Sequence, residues 1–192
     1  SLARSGELDT LTPERVAALQ SADVILYDDL VGPEILDFAR REARRMLVGK
    51  TGHGPSCKQD DINRLMASLA RQGKHVVRLK GGDPGLFGRA TEEIDACRLA
   101  QIPVSIVPGV TAAQAAAASL GYSLTERGLA RRVQFVTGHG ADGQLPRDLS
   151  WAALADANAT PPIGIGGISM MDRGKDHDGN DVFLKDIWPS PA

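Results

Sequence analysis

His75-Val76-Val77-Arg78-Leu79-Lys80-Gly81-Gly82-Asp83-Pro84-Gly85 is an apolar, partly β-branched run that breaks directly into glycines. Its first five residues read as a strand, because branched side chains fit a pleated surface, and the Gly-Gly-Asp-Pro string cannot continue it. Residues 89–100 then carry a helical pattern, and Val104-Ser105-Ile106-Val107 reads as the next strand. Strand, helix and strand in succession make a βαβ unit, and such a crossover belongs to a parallel sheet. The expected fold class is α/β with a parallel sheet.

Upstream the same alternation continues. Thr12-Pro13-Glu14 reads as an N-cap with proline in the first helical turn, opening a helix that carries Val16 and Leu19 inward as far as Ser21. A strand follows over residues 23–27, then a short helix over residues 34–40 and the apolar run Met46-Leu47-Val48. Over residues 59–72 a helix is predicted, because Ile62, Leu65, Met66 and Leu69 recur at i, i+3, i+4 and i+7, and Gly73 ends it. Downstream, Pro108-Gly109-Val110-Thr111 opens an alanine-rich helix to Leu120, and residues 133–136 form another apolar strand before Gly138-His139-Gly140. Residues 1–9 are polar and patternless, so the strand with which an α/β domain normally begins is expected to be missing.

Composition narrows the function classes. A chain of 192 residues fits one domain, and its 25 Ala and 21 Gly against 8 aromatic residues imply close helix-to-sheet packing. The balance of 22 Lys+Arg against 24 Asp+Glu argues against nucleic-acid binding through bulk charge. No apolar run approaches the roughly 20 residues that span a bilayer. Without a secretory leader pattern, the expected location is the cytoplasm, and Cys57 and Cys97 are expected as reduced thiols. Neither has a second ligand at metal-binding spacing, so no metal is expected. In Asp176-His177-Asp178-Gly179-Asn180-Asp181, an EF-hand alignment would put Gly174 and Lys185 at the end positions, which excludes that calcium loop.

In open parallel sheets, ligands bind outside the carboxyl ends of the strands. Four loops fall there: Asp28-Asp29, Gly49-Lys50-Thr51-Gly52, Gly81-Gly82-Asp83-Pro84 and Pro108-Gly109-Val110-Thr111. The third is the strongest candidate. Its glycines let the main chain press against a flat ligand, and Asp83 can accept hydrogen bonds from a ribose or an amine. It matches neither phosphate-loop pattern. Asp28 and Lys50 each close a strand region and form a candidate proton-transferring pair, the plain alternative being a surface acid and a surface amine. Arg78 and Lys80, with Arg127, Arg131 and Arg132, offer charge-assisted contacts to an anionic substrate, or else a solvated basic face. His75 is expected to be structural.

Five strings carry a resemblance: Leu26-Tyr27-Asp28-Asp29-Leu30-Val31, Val76-Val77-Arg78-Leu79-Lys80-Gly81-Gly82-Asp83-Pro84, Val107-Pro108-Gly109-Val110-Thr111-Ala112-Ala113, Leu124-Thr125-Glu126-Arg127-Gly128 and Val136-Thr137-Gly138-His139. In order and spacing, over about residues 8–160, they resemble the uroporphyrinogen-III C-methyltransferases of the tetrapyrrole methylase family. The resemblance implies transfer of two methyl groups from S-adenosylmethionine to carbons 2 and 7 of uroporphyrinogen III. It also implies Asp28 as proton acceptor, Lys50 as proton donor, and an S-adenosylmethionine site lined by Gly81, Gly82, Asp83, Leu86, Thr111 and Ala112. The substrate's carboxylates give Arg78 a substrate-binding role, and the family implies a homodimer.

Two departures stand beside it. Where the family opens with a glycine-rich GAGPGD loop, this chain has Leu2-Ala3-Arg4-Ser5-Gly6-Glu7, and Ile163-Gly164-Ile165-Gly166-Gly167 is a distant echo of the first strand of a second domain. Residues 174–190 instead resemble a stretch of aconitase without its cluster cysteines. The expected organisation is a methylase N-terminal domain over residues 1–157, an irregular tail over residues 158–192, and a largely missing second domain. The alternatives are a non-catalytic remnant that binds a tetrapyrrole or a partner subunit, and a sibling methylase of another corrin precursor.

Overall fold

Parallel strands need covered faces, and this chain supplies a helical layer on each side of a short sheet. The computed structural model describes residues 11–49, 57–128 and 131–137, together with the backbone of residues 163–164, 174–175 and 181–182. The chain divides into two compact units, Ser1–Thr111 and Ala112–Ala192.

In the first unit, β1 (Val24–Tyr27) is the centre of a three-stranded parallel sheet. β2 (Arg44–Leu47) pairs on one side and β3 (Val76–Leu79) on the other, so that Leu26 stands between Met46 and Arg78. Alternation along β1 then builds two cores. Ile25, with Leu79 from β3, packs under Leu19 of α1 (Pro13–Ser21) and under Ile35 and Leu36 of a 3-10 helix (Pro33–Phe38). Val24 and Leu26 pack on the opposite face against Ile62 and Met66 of α2 (Gln59–Arg71) and Cys97 of α3 (Ala90–Leu99). Leu19, Ile25 and Leu26 are fully buried, and each contributes about 1.5–3 kcal/mol over an exposed side chain.

Three readings change. The helix expected at residues 34–40 is a 3-10 helix six residues long, started by Pro33 and too short to repeat an α-helical stripe. β2 begins at Arg44 rather than Met46: this edge strand leaves Arg44, Arg45 and Leu47 exposed, while Met46 packs half-buried against the core and Val48, just beyond the strand, is buried in it. Residues 104–107 form no strand: Val104 and Ile106 are 46% and 53% exposed, and no ladder partner lies beside them among the described residues. Apolar alternation alone does not make a strand without a neighbour to bond.

The second unit carries α4 (Ala112–Ser119), β4 (Phe135–Val136) paired in parallel with β5 (Ile163–Gly164), and β6 (Gly174–Lys175) paired antiparallel with β7 (Asp181–Val182). Short ladders thus occur where only irregular chain was expected. Within the described residues no helix is long and apolar enough to cross a membrane.

Candidate functional site

The strand order β2-β1-β3 contains a reversal: the chain leaves β1 to one side for β2, then crosses over to the other side for β3. At such a switch point, open α/β sheets bind ligands in the crevice beyond the carboxyl ends of the two strands, here β1 and β3. Asp28 follows β1 there, and Lys80-Gly81-Gly82-Asp83 follows β3.

The glycine loop is held from two sides, by α1 and by the Pro108-Gly109 loop. Arg15, on α1, donates through Nη2 to the carbonyls of Lys80 at 3.2 Å and Gly82 at 3.1 Å. Asp83 accepts the Gly85 N–H on Oδ1 at 2.8 Å and the Gly109 N–H on Oδ2 at 2.9 Å, tying this loop to the Pro108-Gly109 loop. Those loops touch so closely that a Cβ at position 109 would collide with the Gly82 carbonyl and lie 3.2 Å from the Asp83 Cα. Only glycine fits at 109. Asp83 is therefore a clamp first, and it meets a ligand only through its remaining lone pairs. Leu86 is half-buried with its N–H on the Asp83 carbonyl at 3.2 Å; Gly81 is exposed, Thr111 is buried, and Ala112 opens α4 in the second unit. Beyond the turn, Phe87 and Arg89 both stand at φ 54°, a left-handed conformation that costs about 1–3 kcal/mol for a non-glycine residue and persists only where surroundings impose it.

Asp28 is largely enclosed. Its Oδ1 accepts the Leu30 N–H at 3.3 Å, and its Oδ2 faces Arg78 Nη2 at 3.4 Å. Gly49, at the end of the β2 segment, abuts it: a Cβ there would lie 2.6 Å from the Asp28 Cβ. Lys50, next along the chain, lies outside the described residues.

Arg78 was expected to face substrate, yet four of its five N–H groups point inward. Nε donates to Glu93 Oε1 at 3.1 Å, Nη1 to the carbonyls of Leu26 at 3.3 Å and Leu79 at 2.8 Å, and Nη2 reaches Asp28. Glu93, on α3, also accepts from Gln59 Nε2 at 3.1 Å and pairs through Oε2 with Lys80 Nζ at 3.0 Å. Lys80 in turn donates to the Gly88 carbonyl. Burial is the main force that pushes the Lys80 ammonium below its ordinary value; the Arg78 charge adds to this, and Glu93 and Asp28 oppose it. Two cations and two carboxylates therefore form a neutral buried chain from Asp28 to the far end of the glycine loop.

Glu93 and Arg15 escaped the sequence reading. Glu93 carried a usable signal, since it occupies the inward stripe of α3 four residues before buried Cys97, where an unpaired carboxylate would be costly. Arg127, Arg131 and Arg132 are exposed residues of the second unit. His75 is structural, with its N–H on Asp23 Oδ2 at 2.8 Å and its Nδ1 3.0 Å from the Ser21 carbonyl. Cys57 and Cys97 are in no disulfide. A groove of about 730 Å³ between α2 and α3, bordered by Ala67, Arg71 and Leu99, contains none of the site residues.

Residues 5–164 match the tetrapyrrole (corrin/porphyrin) methylases. The siroheme synthase of Chromobacterium violaceum is 48% identical over 161 residues, which are 84% of this chain and 34% of that protein. The uroporphyrin-III-C-methyltransferase structure from Thermus thermophilus is 43% identical with a TM-score of 0.61, over 72% of this chain and 59% of that one. A second structure of the Thermus thermophilus protein, complexed with S-adenyl homocysteine, is 38% identical with a TM-score of 0.60, over 76% of this chain and 60% of that one. This chain spans about a third of the length of the curated relatives it matches.

Proposed function

The chain belongs to the tetrapyrrole methylase family, and from that premise we propose that it serves the S-adenosylmethionine-dependent C-methylation of uroporphyrinogen III at carbons 2 and 7. The observation that carries this reading is the pair of loops locked together by Asp83 and Gly109 at the β1/β3 crevice, with Asp28 across from it. Bare backbone at Gly81, Gly82 and Gly109 suits a flat adenosyl group, and Asp83, Leu86, Thr111 and Ala112 complete the lining.

When bound, S-adenosylmethionine supplies an electrophilic methyl group. The chain's own task is to hold a pyrrole carbon in line with it, which accounts for a large part of such a rate, and to move protons. Asp28 accepts the displaced proton, its carboxylate kept in place by the Leu30 N–H and Arg78. Lys50 is the proton donor, a role supported by the contact of its neighbour Gly49 with Asp28. Arg78 serves the substrate chiefly by fixing Asp28 and has one N–H left for a substrate carboxylate. The reading gives residues 1–157 to the methylase N-terminal domain and residues 158–192 to a separate tail; a family match over residues 5–164 supports the methylase assignment of most of that span. The reading includes a homodimer and a cytoplasmic location; sedimentation tests the former.

Calorimetric titration with S-adenosylhomocysteine and a methylation assay with uroporphyrinogen III test the proposal together. Saturable binding is expected, and Asp28→Asn is expected to retain it while methylation falls by about a hundredfold or more. A folded chain that binds no S-adenosylhomocysteine refutes the reading.

A further inference from the structure

Glu93 is 6% exposed and forms the junction of the buried charges. Its two oxygens divide the work. Oε1 takes Arg78 Nε and Gln59 Nε2, each at 3.1 Å, and Oε2 takes Lys80 Nζ at 3.0 Å. Through Arg78 the carboxylate reaches Asp28 at the end of β1. Through Lys80 it reaches the carbonyl of Gly88, the closing residue of the loop after β3, between Phe87 and Arg89 in their left-handed conformations.

We propose that Glu93 is the positioning residue of this site, one buried carboxylate that holds the closing end of the glycine loop through Lys80 and Asp28 through Arg78. The inference rests on the methyltransferase reading and assigns a task to a residue on a helix behind the cleft. Its chemistry follows from geometry. The left-handed backbone at positions 87 and 89 relaxes unless something fixes Gly88, and the Lys80 ammonium is the side chain that bonds its carbonyl. That ammonium keeps its place and charge through Glu93, since Arg78 lies beside it and burial disfavours the charged form. A neutral glutamine at 93 keeps the shape and still accepts from Arg78, but turns away the loop's anchor.

Calorimetric titration of the whole chain with S-adenosylhomocysteine tests this, using wild type, Glu93→Gln, Lys80→Met and the double variant, each first shown to be folded by circular dichroism. Both single variants are expected to weaken binding by about tenfold, the size of one charge-assisted hydrogen bond. The double variant should be no weaker than the worse single one, because both changes cut the same clamp. A pH series adds a readout that plain structural damage does not move. Lys80 faces Arg78 on β3, Glu93 on α3 and Asp28 after β1. Wild type should lose affinity as its own Lys80 gives up a proton below the ordinary lysine value of 10.5; with Glu93 neutralised that loss should come at lower pH, while Lys80→Met, which has nothing to titrate there, should not show it. A double variant that regains wild-type affinity would mean that Glu93 merely balances charge, and would overturn the proposal. So would single variants within twofold of wild type. Should Glu93→Gln not fold, Lys80→Met decides alone, since unchanged binding refutes the clamp. A folded wild type that binds no S-adenosylhomocysteine fells the functional reading itself, and the inference with it; binding wild type with unaffected variants fells only the role of Glu93.

Discussion

Replacing Asp83 should loosen two backbone amides to different extents, and the difference can be worked out from their surroundings. The Gly109 N–H bond to Oδ2, at 2.9 Å, is partly buried, so water does not readily take the carboxylate's place. Hydrogen bonds to a charged group in such a setting contribute about 1.5–3 kcal/mol. The Gly85 N–H bond to Oδ1, at 2.8 Å, is exposed, and its loss is largely made good by solvent, leaving about 0.5–1 kcal/mol. At about 1.4 kcal/mol per tenfold, Asp83→Ala should speed hydrogen exchange at the Gly109 amide by about 10- to 150-fold and at the Gly85 amide by about two- to fivefold. Asp83→Asn separates the two further. It has a single carbonyl oxygen, and that oxygen belongs with the less solvated donor, so Gly109 should lose only the charged half of its bond, about three- to tenfold in rate. Gly85 should then behave as in the alanine variant. Amide exchange followed by NMR at these two glycines reads the result directly. An unchanged Gly109 rate in Asp83→Ala would refute the clamp, and with it the claim that the two loops form one wall.

Other perturbations test the layers beneath. Leu26→Ala, in a fully buried position on β1, should cost about 2–5 kcal/mol in urea unfolding, whereas Leu99→Ala, at 88% exposure, should stay within about 0.5 kcal/mol of wild type. Arg15→Met removes two donors from the carbonyls of Lys80 and Gly82 and should weaken S-adenosylhomocysteine binding about threefold to thirtyfold by calorimetry; an unaltered Kd would show that α1 does not shape the loop. Acid should act through Asp23. The His75 backbone N–H, and then the Arg40 guanidinium, hold its carboxyl below the ordinary 3.8, so its stabilisation is present above that value and is lost as pH falls through the lower folded value. Asp23→Asn should therefore flatten the drop in melting temperature below about pH 4; a drop as steep as that of wild type would assign the effect to other carboxylates.

Much of the fold was legible in the sequence because its strands are short and bounded by strong punctuation. Val24–Tyr27 and Val76–Leu79 are apolar runs ended by acids or glycines, and α2 repeats Ile62, Leu65, Met66 and Leu69 along one stripe. The failures share one cause, which is that sequence patterns describe side chains while strands are defined by neighbours. Residues 104–107 alternate correctly and have no strand partner among the described residues, and the edge strand β2 starts with two exposed arginines that no hydrophobic reading would choose. The candidate site followed the same rule. Asp28 and the glycine loop could be read from strand ends, but the partner that commits Arg78 inward is a glutamate on a helix, brought near by the packing of α3 on the sheet.

That commitment also decides what the buried charges are for. Ion pairs removed from water give back little net stability, since desolvation offsets most of the attraction, and an apolar set of the same volume often does as well. Four such groups beneath one loop are thus poorly explained as a stabilising device. They are well explained as a positioning one: the Arg78 guanidinium is a rigid fork, with Nε on Glu93 of α3, Nη1 on the carbonyls of Leu26 in β1 and Leu79 at the end of β3, and Nη2 on Asp28, which leaves Asp28 little freedom to rotate. An aliphatic core would hold the same helices against the same sheet, yet it would leave the Asp28 carboxylate and the Gly88 carbonyl without directional partners. The distinction has a measurable form. Arg78→Lys, which keeps the cation but not the fork, should change the stability of the first unit modestly while lowering methylation far more, and a variant that loses stability and rate in equal proportion would show the network to be structural after all.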